Sequence, residues 1–336
     1  MVAVKAFGTF EGRRVDQFTL VSSSGVEVDL LNWGVVVRDW RVPVGGKPRP
    51  VVLGLESFDD YPTHSPHLGA LAGRIANRVR GASFSLGGKT YSLPRNDGPN
   101  SLHGGPQGLG NVVWEAEPDD ATNAVVFTLR SPDGASGYPG NVTFKATYRL
   151  TGNRLRLDLG AATDRPTPVS LVQHQYFNLG TTDTVLDHRY WLKASAYTES
   201  GTDLVPTGNI LEVKDGDDRD FRTPRTMRNA AGEPLDYDGN YVLDAGRDPA
   251  DPIAVVEAPA GDLTLKLWSD RPGLQFYNAV TTNVAARGIG GRHYGRHSGF
   301  CLEDQMFPDA LHHPHFPSIV ITPDTPYAHW CEFEIA

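Results

Sequence analysis

The sequence is poor in cysteine and has no long hydrophobic run. Its two cysteines, Cys301 and Cys331, stand inside apolar, strand-like runs, and neither has the Cys-x-x-Cys spacing of a metal or redox site. Two reduced, buried thiols are therefore a better interpretation than a structural disulfide. No stretch approaches the roughly 18 apolar residues that predict a membrane-spanning helix, and the N-terminus has no sustained apolar segment after a basic start. These absences predict a cytoplasmic protein with no membrane partner.

Positive charge is also scarce. The chain has 31 Lys and Arg residues against 40 Asp and Glu residues, which gives a formal net charge of −9 at pH 7. Nucleic-acid binding needs clustered Lys and Arg, and no such run occurs. The composition therefore argues against a nucleic-acid partner and, for the same reason, against a phosphorylated substrate. A neutral small molecule is the partner that fits.

Turn residues and alternating apolar residues are abundant instead. The 36 glycines and 25 prolines favour many short strands joined by turns over long helices. Between residues 112 and 160, three successive segments alternate apolar and polar residues, and turn sequences at 133–134, 138–141 and 151–153 separate them. This period of two predicts antiparallel sheet. Because no repeat, low-complexity tract or flexible linker divides the chain, we expect one all-β domain over residues 1–336.

Residues 292–323 hold the densest group of reactive side chains. Within this stretch, Glu303 directly follows the apolar run 300–302 and precedes a turn rich in Pro and Asp, so we expect it at the end of a strand. Partial burial there would raise the pKa of a carboxyl group toward the working pH, which suits a general base. The same position is equally compatible with a surface glutamate at a strand end.

His174 lies in the apolar stretch 168–180, between Gln173 and Gln175 and close to Tyr176. A histidine whose ring nitrogens are satisfied by backbone groups is common in a protein core. The polar neighbours of this histidine are nevertheless unusual for a core strand. His174 is therefore a candidate general acid.

Three further polar residues each have two interpretations. Arg78 stands in an apolar segment rich in Gly and Ala, where it is either a buried ion-pair partner or a planar donor to ligand oxygens. His103 precedes two glycines in a turn-dense loop and is either an exposed loop residue or a donor to a ligand. Asp238 precedes Gly-Asn, which is ordinary turn chemistry. Taken one at a time, each residue favours the structural alternative.

Two clusters match metal sites only in part. The acidic loop 215–220 carries oxygen ligands of the kind that calcium accepts, but the full spacing of a known calcium loop is missing, and a solvated loop is the simpler interpretation. His312, His313 and His315 are crowded between prolines, a spacing that is not a recognised zinc pattern. We therefore predict no metal and leave the role of these histidines open.

Eight ordered motifs are spread over nearly the whole chain. They are GRIANRV (73–79), SLHGG (101–105), GYPGN (137–141), HQYFNL (174–179), DFRTP (220–224), DGNYVL (238–243), PGLQFYN (272–278) and YGRHSGFCLEDQMFPDALHHPHFPS (294–318). Together they resemble the aldose 1-epimerase (galactose mutarotase) family. The resemblance implies a β-supersandwich of antiparallel sheets with few short helices. It also implies a cofactor-independent isomerase that interconverts the α and β anomers of a free monosaccharide aldose, as a monomer or homodimer.

Carried across motif by motif, the resemblance implies that Glu303 is the catalytic base and His174 the catalytic acid. It further implies five residues that bind the sugar, with the histidine among them close to the ring oxygen: Asn77, Arg78, His103, Asp238 and Gln275. Opening a cyclic hemiacetal requires one proton to leave the C1 hydroxyl while another reaches the ring oxygen. A carboxylate and an imidazolium on either side of the C1–O5 bond suit this reaction.

Other functions stay open at this point. A retaining glycosidase would need two carboxyl groups about 5–5.5 Å apart, and Glu303 with Asp238 is the obvious pair. A sugar-binding module of the same fold would need neither an acid nor a base. Gln175, Asp304 and the histidines at 312–315 depart from the family pattern near the expected pocket rim, so an epimerase that acts on a non-standard sugar is a further alternative.

Overall fold

A computed structural model describes residues 1–65 and 67–336, and strands dominate its secondary structure. In chain order, strands β1 to β26 span Ala3–Phe10, Arg13–Val21, Glu27–Leu31, Val37–Val44, Lys47–Pro50, Leu71–Ala72, Arg78–Val79, Ser83–Leu86, Lys89–Ser92, Ser101–Leu102, Glu115–Asp119, Ala124–Ser131, Val142–Thr151, Arg154–Thr163, Thr167–Pro168, Val172–Gln173, Arg189–Leu192, Ala194–Ser200, Pro206–Glu212, Asp238–Leu243, Ala254–Glu257, Thr264–Ser269, Gly273–Tyr277, Cys301–Gln305, Val320–Ile321 and Tyr327–Ile335.

Helices are few and short. The described ranges contain one α-helical turn, α1 (Tyr61–His64), and six 3₁₀ turns, at Phe58–Asp60, Arg80–Ala82, Leu109–Asn111, Ala135–Gly137, Ile289–Gly291 and Ala310–His312. Within those ranges, no helix has the length and apolar character needed to cross a membrane. The prediction of an all-β chain with few short helices is confirmed.

Three large antiparallel sheets make up most of the described chain. The N-terminal sheet has the order β1-β2-β3-β4-β5, and an eight-stranded sheet has the order β11-β12-β13-β14-β26-β22-β21-β17. A third sheet, which we call the site sheet, has the order β19-β18-β20-β23-β24. The pairs β7–β10, β15–β25, β6–β16 and β8–β9 are two-stranded. Sequence neighbours pair in β11–β14, whereas the C-terminal strand β26 inserts between β14 and β22.

The centre of the eight-stranded sheet follows the alternation that the sequence predicts. Along β13, Phe144 and Tyr148 are buried, and Lys145 between them is exposed. The neighbouring strand β14 repeats the pattern, with Leu157 buried. Each such side chain contributes roughly 1.5–3 kcal/mol when it leaves water. Antiparallel pairing over this region is confirmed.

One large hydrophobic cluster joins the three sheets. It takes Trp40 from the N-terminal sheet, Phe144 from the eight-stranded sheet and Phe276 from the site sheet. Cys331 belongs to this cluster and Cys301 to a neighbouring one, and both thiols are buried and unpaired. The prediction of two free, buried cysteines is therefore confirmed.

The site sheet corrects the predicted position of Glu303. Glu303 is the middle residue of β24, not a strand end, and all five residues of β24 are buried. The strand continues through Asp304 and Gln305 because these polar side chains find buried partners. Ser269 donates its hydroxyl to Asp304, and Gln305 Nε2 donates to Asn240 Oδ1 at 3.3 Å.

Phe144→Ala tests the packing between the sheets. Phe144 is fully buried, so we expect the free energy of unfolding to fall by about 3–5 kcal/mol. Lys145→Ala on the same strand is the matched control, because its exposed side chain should change stability by no more than about 0.5 kcal/mol. Urea denaturation followed by tryptophan fluorescence measures both. Equal losses in the two variants would contradict this account of the core.

Candidate active site

Three strands of the site sheet carry a row of polar side chains. The register pairs Asn240 of β20 with Gln275 of β23, and Gln275 with Glu303 of β24. Cross-strand partners project from the same face, so these side chains lie side by side. Gln275 Nε2 donates to Asp238 Oδ1 at 2.6 Å. The sheet thus aligns Asn240, Gln275 and Glu303 in one row. Asp238, two residues before Asn240, joins this row through its hydrogen bond with Gln275.

A pair of loop residues faces this row from the other wall. Asn77 and His103 both have left-handed backbone conformations, with φ of 58° and 52°. His103 N donates to Asn77 O at 3.0 Å, and His103 Nδ1 accepts from Asn77 N at 3.2 Å. Because Nδ1 is an acceptor, the proton of the neutral ring is on Nε2, which is left to donate. Asparagine tolerates the left-handed region better than most residues do.

His174 comes directly after β16 and is fixed by its backbone. His174 N donates to Ala70 O at 2.9 Å, and the ring stacks on Tyr176 with 5.0 Å between centroids. Its Nδ1 lies 3.5 Å from Cys301 Sγ, and its Nε2 lies 3.7 Å from Glu303 Oε1. Glu303 Oε2 has no hydrogen-bond partner among the described residues. The pair therefore has both a close contact and a free carboxyl oxygen.

All seven residues that the sequence selected line one cavity of about 260 Å³. They are Asn77, Arg78, His103, His174, Asp238, Gln275 and Glu303. The structure thus brings them together, although the role of each stays a prediction. A volume of this size fits a single sugar ring better than a larger ligand.

Arg78 supplies the cavity with its positive charge. Its Nε donates to Asp97 Oδ2 at 2.8 Å, so one edge of the guanidinium is held by the protein. The remaining N–H groups are available for ligand oxygens. The positive charge of Arg78 also opposes the effect of burial on the carboxyl groups of Asp238 and Glu303, whose pKa values it lowers. Both interpretations of Arg78, ion-pair partner and ligand donor, are compatible with this geometry.

Burial decides where the protons are in this cavity. It raises the pKa of Glu303 well above its ordinary value, and the negative charge of Asp238 raises it further. Burial, with a smaller effect of His67, lowers the pKa of His174 to about 3. Burial therefore disfavours the charged form of both groups, and where the pair holds a single proton, burial favours that proton on Glu303. The expected imidazolium at His174 is not the favoured form of the folded protein.

Sequence reasoning missed several residues of the cavity wall. His67 lines it, with its ring centroid 4.7 Å from that of His103, and burial lowers the pKa of His67 to about 4. Tyr176 and Tyr277 also line it, and their rings meet edge to face at 6.1 Å. Tyr176 was noticed only as a neighbour of His174. The HQYFNL and PGLQFYN motifs contain the two tyrosines, but no local pattern singles out His67.

The residues that depart from the family pattern do not line the cavity. Asp304 is buried on the other face of β24. His312 and His313 contact the carboxylate of Asp309 at 2.6 and 3.5 Å, and His315 Nε2 lies 2.8 Å from Gly208 O. Gln175 does not line the cavity either, so the prediction that these residues lie at the pocket rim is wrong.

The acidic loop 215–220 is neutralised by arginines. Arg222 contacts Asp215 at 2.7 Å and Asp220 at 2.8 Å, and Arg225 contacts Asp218 at 3.1 Å. These ion pairs favour the solvated-loop interpretation over a calcium site.

Two other groups have the donor types and spacing of a metal site in the described part of the chain. His103, His174 and Glu303 each place one ligand atom within 4.8 Å of the others, as do Asp304, His329 and Cys331. Neither group includes His312, His313 or His315. The absence of a resident metal stays a prediction.

The chain matches known proteins over almost its full length. A family model described as aldose 1-epimerase matches residues 16–334. Galactose mutarotase of Bos taurus is 36% identical over 329 residues, which cover 96% of this chain and 95% of that protein. A maltose epimerase of Levilactobacillus brevis is 30% identical over 343 residues, which cover 99% and 98%.

Solved structures show the same fold. A GalM/aldose epimerase homologue from C. elegans has a TM-score of 0.89 at 26% identity, with 95% of this chain and 98% of that chain covered. A galactose 1-epimerase from Lactobacillus acidophilus NCFM has a TM-score of 0.86 at 25% identity, with 100% and 98% covered. The predicted β-supersandwich of the mutarotase type is confirmed.

The protonation of His174 can be measured directly. Because burial lowers its pKa to about 3, we expect the ring to stay neutral from pH 8 down to pH 5. Long-range ¹⁵N–¹H NMR spectra of protein with ¹⁵N-labelled histidine report the charge of each ring, and His174→Gln assigns the signal. A His174 ring that titrates near pH 6.5 would contradict this description of the cavity.

Proposed function

The chain belongs to the aldose 1-epimerase family, and on this premise we propose that it interconverts the α and β anomers of a free aldose in the cavity between Glu303 and His174. It is an isomerase whose substrate is a small sugar. The observation that carries the proposal for the site is the pair itself, with 3.7 Å between Nε2 and Oε1 in a cavity lined by hydrogen-bonding groups.

Ring opening uses the pair as base and acid. Glu303 takes the proton of the C1 hydroxyl, the C1–O5 bond breaks as C1 becomes a carbonyl, and His174 gives its proton to O5. The pair must therefore begin with its proton on His174. The positive charge of Arg78, which lowers the pKa of Glu303, favours that form.

Once the ring has opened, Glu303 and His174 are in the protonation form that burial favours. After opening, the single proton is on Glu303 and His174 is neutral, so the step that breaks the ring also removes two opposite charges from the core. Rotation about C1–C2 presents the other face of the carbonyl. Ring closure reverses the proton transfers, with Glu303 returning a proton to O1 and His174 taking one from O5.

The other cavity residues hold the sugar while C1 rotates. His103 can donate from Nε2 to the ring oxygen, where charge changes during opening. Asp238 and Gln275, which are already hydrogen-bonded to each other, can fix hydroxyl groups of the sugar beside Glu303. These steps need only side chains of the cavity and no cofactor.

Three finer features stay proposals. Galactose and maltose are named in the descriptions of relatives, so a galactose-type hexose is the first substrate to test. We also propose a cytoplasmic location, which the two free, buried thiols support. A monomer or homodimer is the proposed assembly.

Glu303→Gln tests the proposed base. Glutamine has almost the same shape but cannot take a proton, so we expect the catalysed rate to fall by at least about 100-fold while the fold persists. Polarimetry of freshly dissolved α-D-galactose and α-D-glucose measures the rate, and near-UV circular dichroism checks the fold. A variant that keeps nearly the wild-type rate would remove Glu303 from the role of base.

The same assay separates the rival functions. Acceleration by wild-type protein that persists in a chelator favours the metal-free steps, whereas release from a chromogenic glycoside would favour a glycosidase. Sugar binding without acceleration, across a panel of free aldoses, would favour a binding module and overturn the proposal.

A further inference from the structure

Asp304 is a buried charge that the proposed mechanism does not use. It follows Glu303 on β24, and successive strand residues point to opposite faces of a sheet. The register pairs Asp304 with Leu274, whereas Glu303 pairs with Gln275. The Asp304 side chain is 1% exposed and lies between the site sheet and the eight-stranded sheet. Glu303 and Asp304 thus place two carboxyl groups on the two sides of one strand.

His329 links Asp304 to the protein surface. His329 Nε2 lies 3.1 Å from Asp304 Oδ2, and His329 Nδ1 lies 2.6 Å from Asp270 Oδ1. Asp270 is 34% exposed at its side chain, whereas His329 is buried. Ser269 donates its hydroxyl to the same oxygen of Asp304. The result is a chain of contacts from the back of the site sheet to solvent.

The contacts require His329 to be an imidazolium. Both ring nitrogens face carboxylate oxygens, which only accept hydrogen bonds, so both nitrogens must donate. Burial by itself lowers the pKa of His329, but the charge of Asp304 and the hydrogen bonds to Asp270 and Asp304 outweigh it and raise the pKa. The geometry and the electrostatics agree on a charged ring.

A buried ion pair is by itself a weak source of stability. Removing two charges from water costs about as much as their attraction returns, and apolar residues of the same volume are often as stable. The position of Asp304 behind Glu303 suggests a different role for the pair. Asp304 is one of the groups whose charge raises the pKa of Glu303, after burial and Asp238 and against Arg78.

We propose that Asp304 and His329 form a positioning pair that holds β24 from behind and places the negative charge of Asp304 behind the carboxyl group of Glu303. The inference rests on the proposed function for its catalytic meaning. Neither residue touches the cavity, so both act through Glu303.

Other groups face the two carboxyls from the surrounding elements. Around Glu303 these are Arg78, His103, His174, Tyr176, Asp238 and Cys301. Around Asp304 they are Tyr148, Ser269, Tyr327, His329 and Cys331. Asp304 itself does not line the cavity, so its charge can be removed without changing a residue that does.

Asp304→Asn tests the proposal, because it removes one negative charge behind Glu303 and keeps the shape of the side chain. We expect the Glu303 carboxyl to lose its proton at a pH lower by about one unit. Titration of ¹³C-labelled glutamate carboxyls by NMR measures this, with Glu303→Gln for assignment. The same shift should appear in the high-pH limb of kcat/KM for mutarotation, with the low-pH limb unchanged.

Two further variants make the result specific. Asp270→Asn removes a charge from the same histidine on the side away from Glu303, and we expect a smaller shift. His329→Gln keeps Asp304 but removes its cation, so the titration of Glu303 should move to higher pH. This opposite direction also tests the proposal if Asp304→Asn does not fold.

The outcomes separate this inference from the proposed function. A titration of Glu303 that is the same in wild type and Asp304→Asn, or that rises, overturns the positioning pair even if mutarotation is found. If the titration of Glu303 shifts as expected but the protein does not catalyse mutarotation, the positioning pair stands and only the proposed activity is overturned. One equivalent of metal bound by Asp304, His329 and Cys331 in purified protein, and lost in Cys331→Ser, would also overturn the pair, because the ion would displace the proton from His329.

Discussion

Burial of Glu303 against His174 is the constraint on which the rest of the site depends. The side chain of His174 is 6% exposed and that of Glu303 is 2% exposed, and their facing atoms are 3.7 Å apart. A medium of low polarity disfavours separate charges, so burial favours a single proton held between the two groups. A reaction that removes one proton from O1 and delivers one to O5 leaves that total unchanged. The proposed chemistry therefore never adds net charge to the core.

The two faces of the site sheet place different polar groups around Glu303. Alternation along β24 turns Glu303 toward the sugar cavity and Asp304 toward the eight-stranded sheet. Hydrogen bonding between Gln275 and Asp238 extends the polar row away from the pair. One five-residue strand thus joins the proposed acid/base chemistry to the buried charge of His329. The shared hydrophobic cluster of the three sheets also supports our proposal of one domain over residues 1–336.

Local patterns predicted the strands, and the family motifs predicted the cavity. The alternation around Phe144 is visible in the sequence because each side chain there faces either the hydrophobic core or solvent, and residue polarity follows that choice. The polar residues of β24 misled that reasoning: Asp304 is buried because Ser269 and His329, from two other strands, supply its contacts. His67 was missed for the same reason, since only the fold brings its ring to His103. Contacts between distant segments leave no periodic signal.

The pH dependence of kcat/KM for mutarotation by the wild-type protein tests the shared proton most directly. If the active form holds one proton between Glu303 and His174, the rate should stay level through pH 6.5, because the pKa of His174 is about 3. It should fall only at high pH, as Glu303 loses its proton through a raised pKa and no acid is left. A fall below pH 7 that follows the titration of an ordinary histidine would contradict the account.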